Sequence, residues 1–288
     1  MKKITTLLYS FLILMTISCS KEDQNEGSKE EPKDDPYQEK IFIRPVGKYI
    51  AEIKGCNYNF FFRRDTVKLI EFDYDANRYL KEIRYYDGRK QNLEYRNEFI
   101  YNTAGQVIQI NRYDTNNILQ IQEYITYQKQ KQTLSEVYQI KSDIKTLSEK
   151  YEFVTDSIGR IIEVFAYELK DGSLIKNPGS RKFTYDSSGN VKKDFWQGDG
   201  YYRITEGNFD TRKNPFFELS VPFSYYAIPY FSIFYTLSNN NTTGYKLTTT
   251  FPGQSGVQTS YVTTGYKYEG NYPTVMDNTY FFKYVDLK

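Results

Sequence analysis

A repeated aromatic-x-aromatic-Asp/Asn-x-x-Gly pattern constrains the fold of this chain more than any other feature. Two clear copies read FIYNTAGQV from Phe99 and FTYDSSGNV from Phe183. The alternate aromatic residues lie on one face of a β-strand, because strand side chains alternate with a period of two. Asp or Asn then begins a turn through its own side-chain oxygen, and Gly adopts the positive φ that completes the turn. Each copy therefore predicts a β-hairpin.

The copies recur at a nearly constant spacing. Phe72 begins a copy 27 residues before Phe99, and Phe153 begins another at twice that distance after Phe99. This period predicts a further copy near position 126, where the residues 125–127 (ITY) stand without a following turn signal. A fixed period in this range is typical of proteins in which each repeat packs on its neighbours.

The start of the chain indicates export and lipidation. Basic residues precede an apolar run that ends just before Cys19, which predicts a secretory signal at residues 1–18 rather than a transmembrane helix. Residues 16–19 (TISC) resemble the bacterial lipobox, in which the cysteine carries the acyl chains. Two or more acyl chains give stable anchoring. We therefore expect lipid attachment at Cys19, with membrane contact through that anchor only.

The next residues indicate where the anchored protein lies. Residues 20–23 (SKED) resemble the acidic signal that directs Bacteroidetes lipoproteins to the outer face of the outer membrane. Residues 19–40 comprise the lipidated N-terminus and a charged linker, which is expected to be flexible because it has no apolar periodicity. Residues 41–288 are left as a single β-repeat domain. The expected location is the outer membrane, with this domain facing the cell exterior.

Charge and composition exclude several classes of function. Without Lys2 and Lys3 the 38 basic residues become 36, equal to the 36 acidic residues, so nothing favours an electrostatic partner such as nucleic acid. The chain has no histidine, which removes the Ser-His and Cys-His nucleophile pairs and the commonest zinc ligand. With Cys19 acylated, Cys56 has no cysteine partner for a disulfide. We expect no catalytic residue, no metal and no cofactor.

The remaining pattern predicts an all-β fold. From residue 41 to about 209, short strands alternate with polar turns, which favours a curved antiparallel β-meander of hairpin repeats, either open or barrel-like. A Pro- and aromatic-rich segment at about 214–235 is too apolar for an exposed loop, and its prolines forbid one long helix. We expect this covering segment to pack against the concave, apolar face of the sheet. Strands are predicted to resume at 244–251, 258–268 and 278–285.

Three stretches resemble a known family. The Tyr-Asp-x-x-Gly hairpins and the runs 208–216 and 266–274 are similar to Bacteroidetes lipoproteins of unknown function that have a porin-like β fold. The hairpins also resemble YD (Rhs-type) repeats. The resemblance implies a curved or barrel-like antiparallel sheet and supplies no catalytic residue. A membrane-spanning barrel is the structural alternative, but it needs an apolar outward face on every strand, whereas the outward face of these strands is charged.

Three functional hypotheses remain. The first is a non-enzymatic surface protein that binds a glycan or a peptide, because flat aromatic rings with polar groups suit such ligands. Packing within the sheet is the competing explanation for these aromatic residues. The second is a structural or assembly component of the envelope that contacts a protein partner through unpaired strand edges. The third is a hydrolase with paired carboxylates, for which the sequence offers no local motif. The candidate ligand-binding residues are Trp196, Tyr201, Tyr202, Tyr225, Tyr226 and Tyr230.

Overall fold

The computed structural model describes residues 46–58, 64–128, 132–198, 201–216, 233–251 and 256–288. The signal peptide and linker predicted from the sequence lie outside these residues. Within the described ranges the chain has seventeen strands and one short helix, α1 (Ile233–Leu237). The strands are β1 (Gly47–Tyr58), β2 (Arg64–Tyr74), β3 (Leu80–Tyr86), β4 (Leu93–Tyr101), β5 (Val107–Asp114), β6 (Leu119–Gln128), β7 (Gln132–Lys141), β8 (Ile144–Thr155), β9 (Ile161–Lys170), β10 (Ser173–Tyr185), β11 (Val191–Gln197), β12 (Tyr202–Lys213), β13 (Asn240–Thr250), β14 (Val257–Thr263), β15 (Tyr266–Glu269), β16 (Tyr272–Met276) and β17 (Tyr280–Leu287).

The strands form one antiparallel sheet that follows the order of the chain. Each strand from β1 to β13 pairs with the next one, and β15, β16 and β17 pair in the same way. Because β17 also pairs with β1, the two ends of the sheet are β14 and β15. No register pairs join those two strands within the described ranges, so the sheet is not closed into a barrel. The predicted antiparallel meander is confirmed.

Five hairpin turns share one arrangement of hydrogen bonds. In each, a side-chain oxygen of the first residue accepts hydrogen bonds from the backbone N–H groups two and four positions later. The backbone N–H of the first residue donates to the carbonyl four positions later, and its own carbonyl accepts from the N–H three positions later. This is the Asp/Asn turn that the sequence predicts. The first residues are Asp75, Asn102, Asp114, Asp156 and Asp186.

The fourth residue of each turn has a positive φ, between 62° and 88°. Glycine takes this position in three of the turns, whereas Arg78 and Asn117 take it in the other two. The turn that begins at Asp114 has no glycine and is not one of the predicted copies. It adopts the same conformation because Asn tolerates the left-handed region better than most residues. The register of the flanking strands shifts by one residue immediately before every one of these turns.

One row of buried side chains runs through the repeats, and no member is more than 5% exposed. The row stands on the alternate strands β2, β4, β6, β8 and β10, so one sequence period corresponds to two strands. Ile125 holds the place in this row that the period predicts near position 126. The residues that would follow it as a turn, 129–131, lie outside the described ranges. The row consists of Phe72, Phe99, Ile125, Phe153 and Phe183.

Tyrosines two positions after members of this row connect neighbouring strands. Tyr74 donates its hydroxyl to the Ile50 carbonyl of β1 (2.8 Å), and three others each donate to the backbone carbonyl of the first residue of the preceding strand. That first residue lies beyond the last register pair between the two strands. Its carbonyl therefore accepts no hydrogen bond from the ladder between them, and the tyrosine hydroxyl supplies the donor. The pairs are Tyr101 with Leu80 (2.8 Å), Tyr127 with Val107 (3.0 Å) and Tyr185 with Ile161 (2.8 Å).

The opposite face of the sheet carries charged side chains that contact one another and aromatic rings. Arg84 donates hydrogen bonds of 2.5 Å to Glu82 and 2.8 Å to Glu71. The guanidinium of Arg96 lies 4.0 Å from the ring centre of Tyr113. The apolar and charged faces are therefore separated as the sequence predicts.

Among the described residues, no helix has the length and apolar character needed to span a membrane.

The covering segment is described only at its two ends. Phe216 is buried and packs edge to face against Phe282, with 6.0 Å between ring centres. Asn214, also buried, donates from Nδ2 to the carbonyls of Tyr235 (2.5 Å) and Ser238 (2.7 Å). The middle of the segment, residues 217–232, lies outside the described residues. Both described ends lie in the core of the sheet, on the side where the sequence predicts the segment.

The C-terminal strands differ from the sequence prediction in two places. The strand predicted over 258–268 is divided into β14 and β15, because the Gly265 N–H donates to Asp277 Oδ1 (2.7 Å) instead of continuing the ladder with β13. Strand β16 is also not predicted from the sequence, because it contains Pro273 and follows the Gly-Asn pair typical of a turn. Neither the break nor β16 follows from hydrophobic alternation alone.

Alanine is expected to destabilise two turn positions to different extents. Gly159 and Gly189 both have φ above 80°, where a Cβ atom costs about 1–2 kcal/mol. A Cβ on Gly159 meets nothing within 4 Å, whereas one on Gly189 lies 2.5 Å from Nδ2 of Asn239, which donates to the Ser188 carbonyl. Gly189→Ala should therefore lose about 1 kcal/mol more than Gly159→Ala in urea denaturation. Equal losses would contradict the contact between Asn239 and this turn.

Stability is expected to fall at alkaline pH. Burial raises the pKa of Tyr127, Tyr185 and Tyr266 above the ordinary tyrosine value. The folded state thus favours the neutral phenol, so this contribution is complete below the unfolded pKa of about 10 and is lost as the pH rises above it. The free energy of unfolding, measured by denaturant titration at each pH, should decline above about pH 10. Tyr185→Phe should reduce the slope, and an unchanged slope would contradict the assignment.

Candidate ligand-binding site

Three of the six aromatic residues predicted to bind a ligand lie within the described residues. Trp196 is the penultimate residue of β11, and Tyr202 begins β12, with Tyr201 immediately before it. The hairpin between these strands is closed by a hydrogen bond of 3.0 Å from the Gly198 N–H to the Tyr201 carbonyl. The other three predicted residues belong to the range 217–232 and lie outside the described residues: Tyr225, Tyr226 and Tyr230.

Trp196 and Tyr201 form an aromatic corner. Their ring centres are 4.6 Å apart and their planes meet at 66°, close to an edge-to-face arrangement. The ring of Tyr201 is in turn stacked against Phe251, with 6.2 Å between centres and 18° between planes. Both rings of the corner are half-buried. Each ring therefore has a packing partner and keeps part of its surface accessible.

Tyr202 belongs to the opposite face of the sheet. Trp196 is in register with Arg203, whereas Tyr202 pairs with Gln197 and packs on Phe195, with ring centres 6.3 Å apart. Neighbouring residues of a strand point to opposite faces, so the adjacent tyrosines 201 and 202 separate. The structure brings Trp196 and Tyr201 together and places Tyr202 elsewhere.

A cleft of about 450 Å³ opens beside the aromatic corner. Its walls come from consecutive strands of the apolar face, with Tyr151 from β8, Ala166 from β9 and Trp196 from β11. Glu168 and Lys170, both exposed, stand on the same wall toward the end of β9. The cleft lies on the face that holds the buried row, farther along the strands from the Asp/Asn turns.

A bulge in β10 forms another part of the lining. The register between β9 and β10 stops at Lys176 and resumes at Ser180, which leaves Asn177, Pro178 and Gly179 outside the ladder. A Cβ atom on Gly179 would collide with the backbone carbonyl of Gln197 in β11, so only glycine fits there. Proline and glycine inside a strand commonly mark such a bulge. The bulge leaves main-chain groups beside the cleft without partners in the ladder between β9 and β10.

The arginine that lines the cleft, Arg181, is already paired with a carboxylate. Arg181 donates to both carboxylate oxygens of Asp194, from Nε at 2.7 Å and from Nη2 at 2.5 Å, and Asp194 is only 2% exposed. Bidentate pairs of this kind have a fixed geometry. The guanidinium of Arg203 lies 5.6 Å from the ring centre of Trp196, within the range of a cation–π contact. With Glu168 and Lys170 of opposite sign, the site has little net charge and favours neutral, polar ligands.

Two residues of this site, Trp196 and Tyr201, are predicted from the sequence, and the others are not. Tyr151 is missed because its strand, β8, is far from β11 in sequence and reaches it only through the sheet. The bulge had a usable signal, because Asn177-Pro178-Gly179 interrupts a strand with two residues that disfavour regular pairing. The spatial approach of β8, β9 and β11 has no such signal.

Comparison with known proteins gives structural likeness only. No protein-family model matches the sequence, and no curated protein matches it. A porin-like protein from Bacteroides vulgatus has a TM-score of 0.45 at 13% identity, over 83% of this chain and 99% of that one. A porin-like protein from Bacteroides uniformis has a TM-score of 0.43 at 11% identity, over 84% and 98%. A protein of unknown function from Bacteroides fragilis has a TM-score of 0.28 at 17% identity, over 44% and 88%. At these scores the likeness assigns neither family nor activity.

Proposed function

We propose that this chain is a lipid-anchored outer-membrane protein that binds a glycan or a peptide, without catalysing a reaction, in the cleft beside Trp196. The single observation that carries the proposal is the aromatic corner of Trp196 and Tyr201 at the edge of a cleft of about 450 Å³. A concave site with aromatic walls and a few polar groups is the common form of a small-ligand site. The hairpin repeats, which we regard as YD-like, serve as the rigid support of this site.

The polar groups around the corner suit a ligand with hydroxyl or amide groups. Asn177 lies in the bulge, and Glu168, which pairs with Lys170 (2.5 Å), provides a carboxylate acceptor on β9. Such groups orient a ligand by hydrogen bonds, while the ring faces of Trp196 and Tyr201 contact its apolar patches. The salt bridge below them holds Asp194 with both oxygens on one arginine, which suits a positioning role better than an acid–base role.

The membrane anchor is proposed from the sequence alone. The lipobox-like residues 16–19 provide the acceptor Cys19, and residues 20–23 provide the signal for the outer face of the outer membrane. The charged linker up to residue 40 then gives the β-repeat domain reach from the membrane. In this arrangement the cleft meets ligands outside the cell.

Ligand binding is testable through the fluorescence of Trp196, because it is the single tryptophan of the chain. Titration with panels of neutral oligosaccharides and of short peptides should produce a saturable change in emission with at least one class. Tyr201→Ala should weaken that binding about fivefold, since stacking contacts are worth about 1 kcal/mol each. Tyr202→Ala is the matched control, because its ring lies on the opposite face, and it should bind as the unaltered chain does.

Two results would contradict the binding proposal. One is the absence of any saturable response with a chain whose unfolding transition shows that it is folded. The other is an equal loss of binding in Tyr201→Ala and Tyr202→Ala, which would show that the cleft is not the site. Tyr201→Ala should also shift the emission of Trp196 to longer wavelength without ligand, because the ring that shields it is removed, so the geometry is checked independently of binding.

Lipid attachment is testable by metabolic labelling with an alkyne-bearing fatty acid in the native host or a related one. The unaltered chain should incorporate the label and sediment with the outer membrane, whereas Cys19→Ala should do neither. Cys56→Ala is the matched control and should be labelled normally, since Cys56 lies in β1, far from the lipobox in sequence. Label in the Cys19→Ala chain would contradict anchoring at that residue.

A further inference from the structure

Strand β14 has an unusual surface. Its seven residues read VQTSYVT, and every one of them is exposed. Val257, Tyr261 and Val262 are 57%, 73% and 37% exposed. Val, Thr and Tyr are the residue types that pair most readily in sheets. The strand therefore combines high β-propensity with an uncharged, accessible surface.

One side of β14 has no described strand beside it. Within the described residues it pairs with β13 and with no other strand, so its outer backbone N–H and C=O groups form a free edge. The other end of the sheet, β15, is protected in the usual way: it has only four residues, and Lys267 and Glu269 alternate with its tyrosines. Natural edge strands are commonly short or charged, because long neutral edges attract other strands.

The absence of charge is specific to this edge. Of the seventeen described strands, only β14 and β16 contain no Lys, Arg, Asp or Glu. Strand β16 has partners on both sides, β15 and β17, so it exposes no edge. The described strand that lacks all charge and also has a free side is β14.

We propose that β14 pairs antiparallel with β14 of a second copy of this chain, with the two-fold axis at Ser260. Ser260 is the middle residue of the strand, so this register pairs all seven residues. It places Val257 beside the partner's Thr263 and Thr259 beside the partner's Tyr261. Aromatic and β-branched residues in such cross-strand positions stabilise antiparallel pairs.

The absence of charge on β14 favours a second copy of the chain as its partner strand. A two-fold axis at Ser260 places Ser260 opposite its own counterpart and brings Thr259 and Tyr261 within diagonal reach of theirs, so a charge at any of these three central positions would meet a like charge across the interface. A neutral strand avoids that repulsion. A foreign strand would place no such demand, and charges on β14 would then be useful for selecting it. The neutral composition therefore fits self-association.

The small size of this interface makes the association weak. One ladder of seven residues is smaller than the interfaces of stable complexes, which bury about 1,600 Å². Chains held at a surface by their N-termini would have a high effective concentration and would pair more completely than chains in solution. The pairing does not involve the cleft beside Trp196, which lies on β8 to β11.

The experiment measures self-association by analytical ultracentrifugation of the chain from residue 19 with Cys19→Ala, over a wide range of concentration. The unaltered strand should show a reversible monomer–dimer equilibrium. Ser260→Lys and Ser260→Glu should each weaken dimerisation about tenfold or more, because like charges meet at the axis. An equal mixture of the two variants should restore it, since opposite charges then meet. Ser187→Lys and Ser187→Glu are the matched controls, because Ser187 is exposed in a distant turn.

Three outcomes would overturn the proposal. A chain that stays monomeric at every concentration excludes self-pairing and leaves the edge to a foreign strand. Dimers that form equally well in both Ser260 variants show that another surface is responsible. Weakened single variants whose mixture does not recover show that the axis is not at Ser260. Far-ultraviolet circular dichroism and urea denaturation establish that each variant is folded, which is expected because Ser260 is exposed.

Discussion

The sheet depends on one local interaction, in which an Asp or Asn side-chain oxygen accepts two backbone N–H groups of its own turn. This bond fixes the length of each turn and places the positive φ at one residue, with a one-residue shift in register just before it. A slip of one residue would move every side chain of a strand to the other face. Four of the five turns follow β2, β4, β8 and β10, at one end of alternate strands, and there they align Phe72, Phe99, Phe153 and Phe183 in the buried row that Ile125 also joins.

The position of the core explains where the cleft is. The buried row and its tyrosine hydroxyls lie close to the Asp/Asn turns, and packing is tight there. Farther along the same face, aromatic residues alternate with polar ones, and the bulge at 177–179 takes β10 out of register. Trp196 and Tyr201 stand at that end, each supported by another ring or by a guanidinium. The face thus changes from a packed core to an accessible surface along the length of its strands.

The sequence predicted the repeats better than it predicted their exceptions. The Asp/Asn turns, the apolar and charged faces and the row position near residue 126 follow from local chemistry. The turn at Asp114 was missed because Asn117 replaces the glycine that marks the other copies. The break between β14 and β15 was missed because it depends on Asp277, twelve residues from its partner Gly265. Tyr202 was grouped with Trp196 by proximity in the chain, whereas strand alternation separates them.

The all-β class, the hairpin period and the two faces follow from the amino-acid sequence, since each depends on residues that are neighbours in the chain. The lipobox-like residues 16–19 and the absence of histidine are also read from the sequence alone. Tertiary structure decided which aromatic residues meet, where the cleft opens and which strand is left at an edge. These features depend on register across strands that are distant in sequence and on the pairing of β17 with β1. Local propensity does not encode that pairing, because its free energy comes from contacts that form only when the whole sheet is assembled.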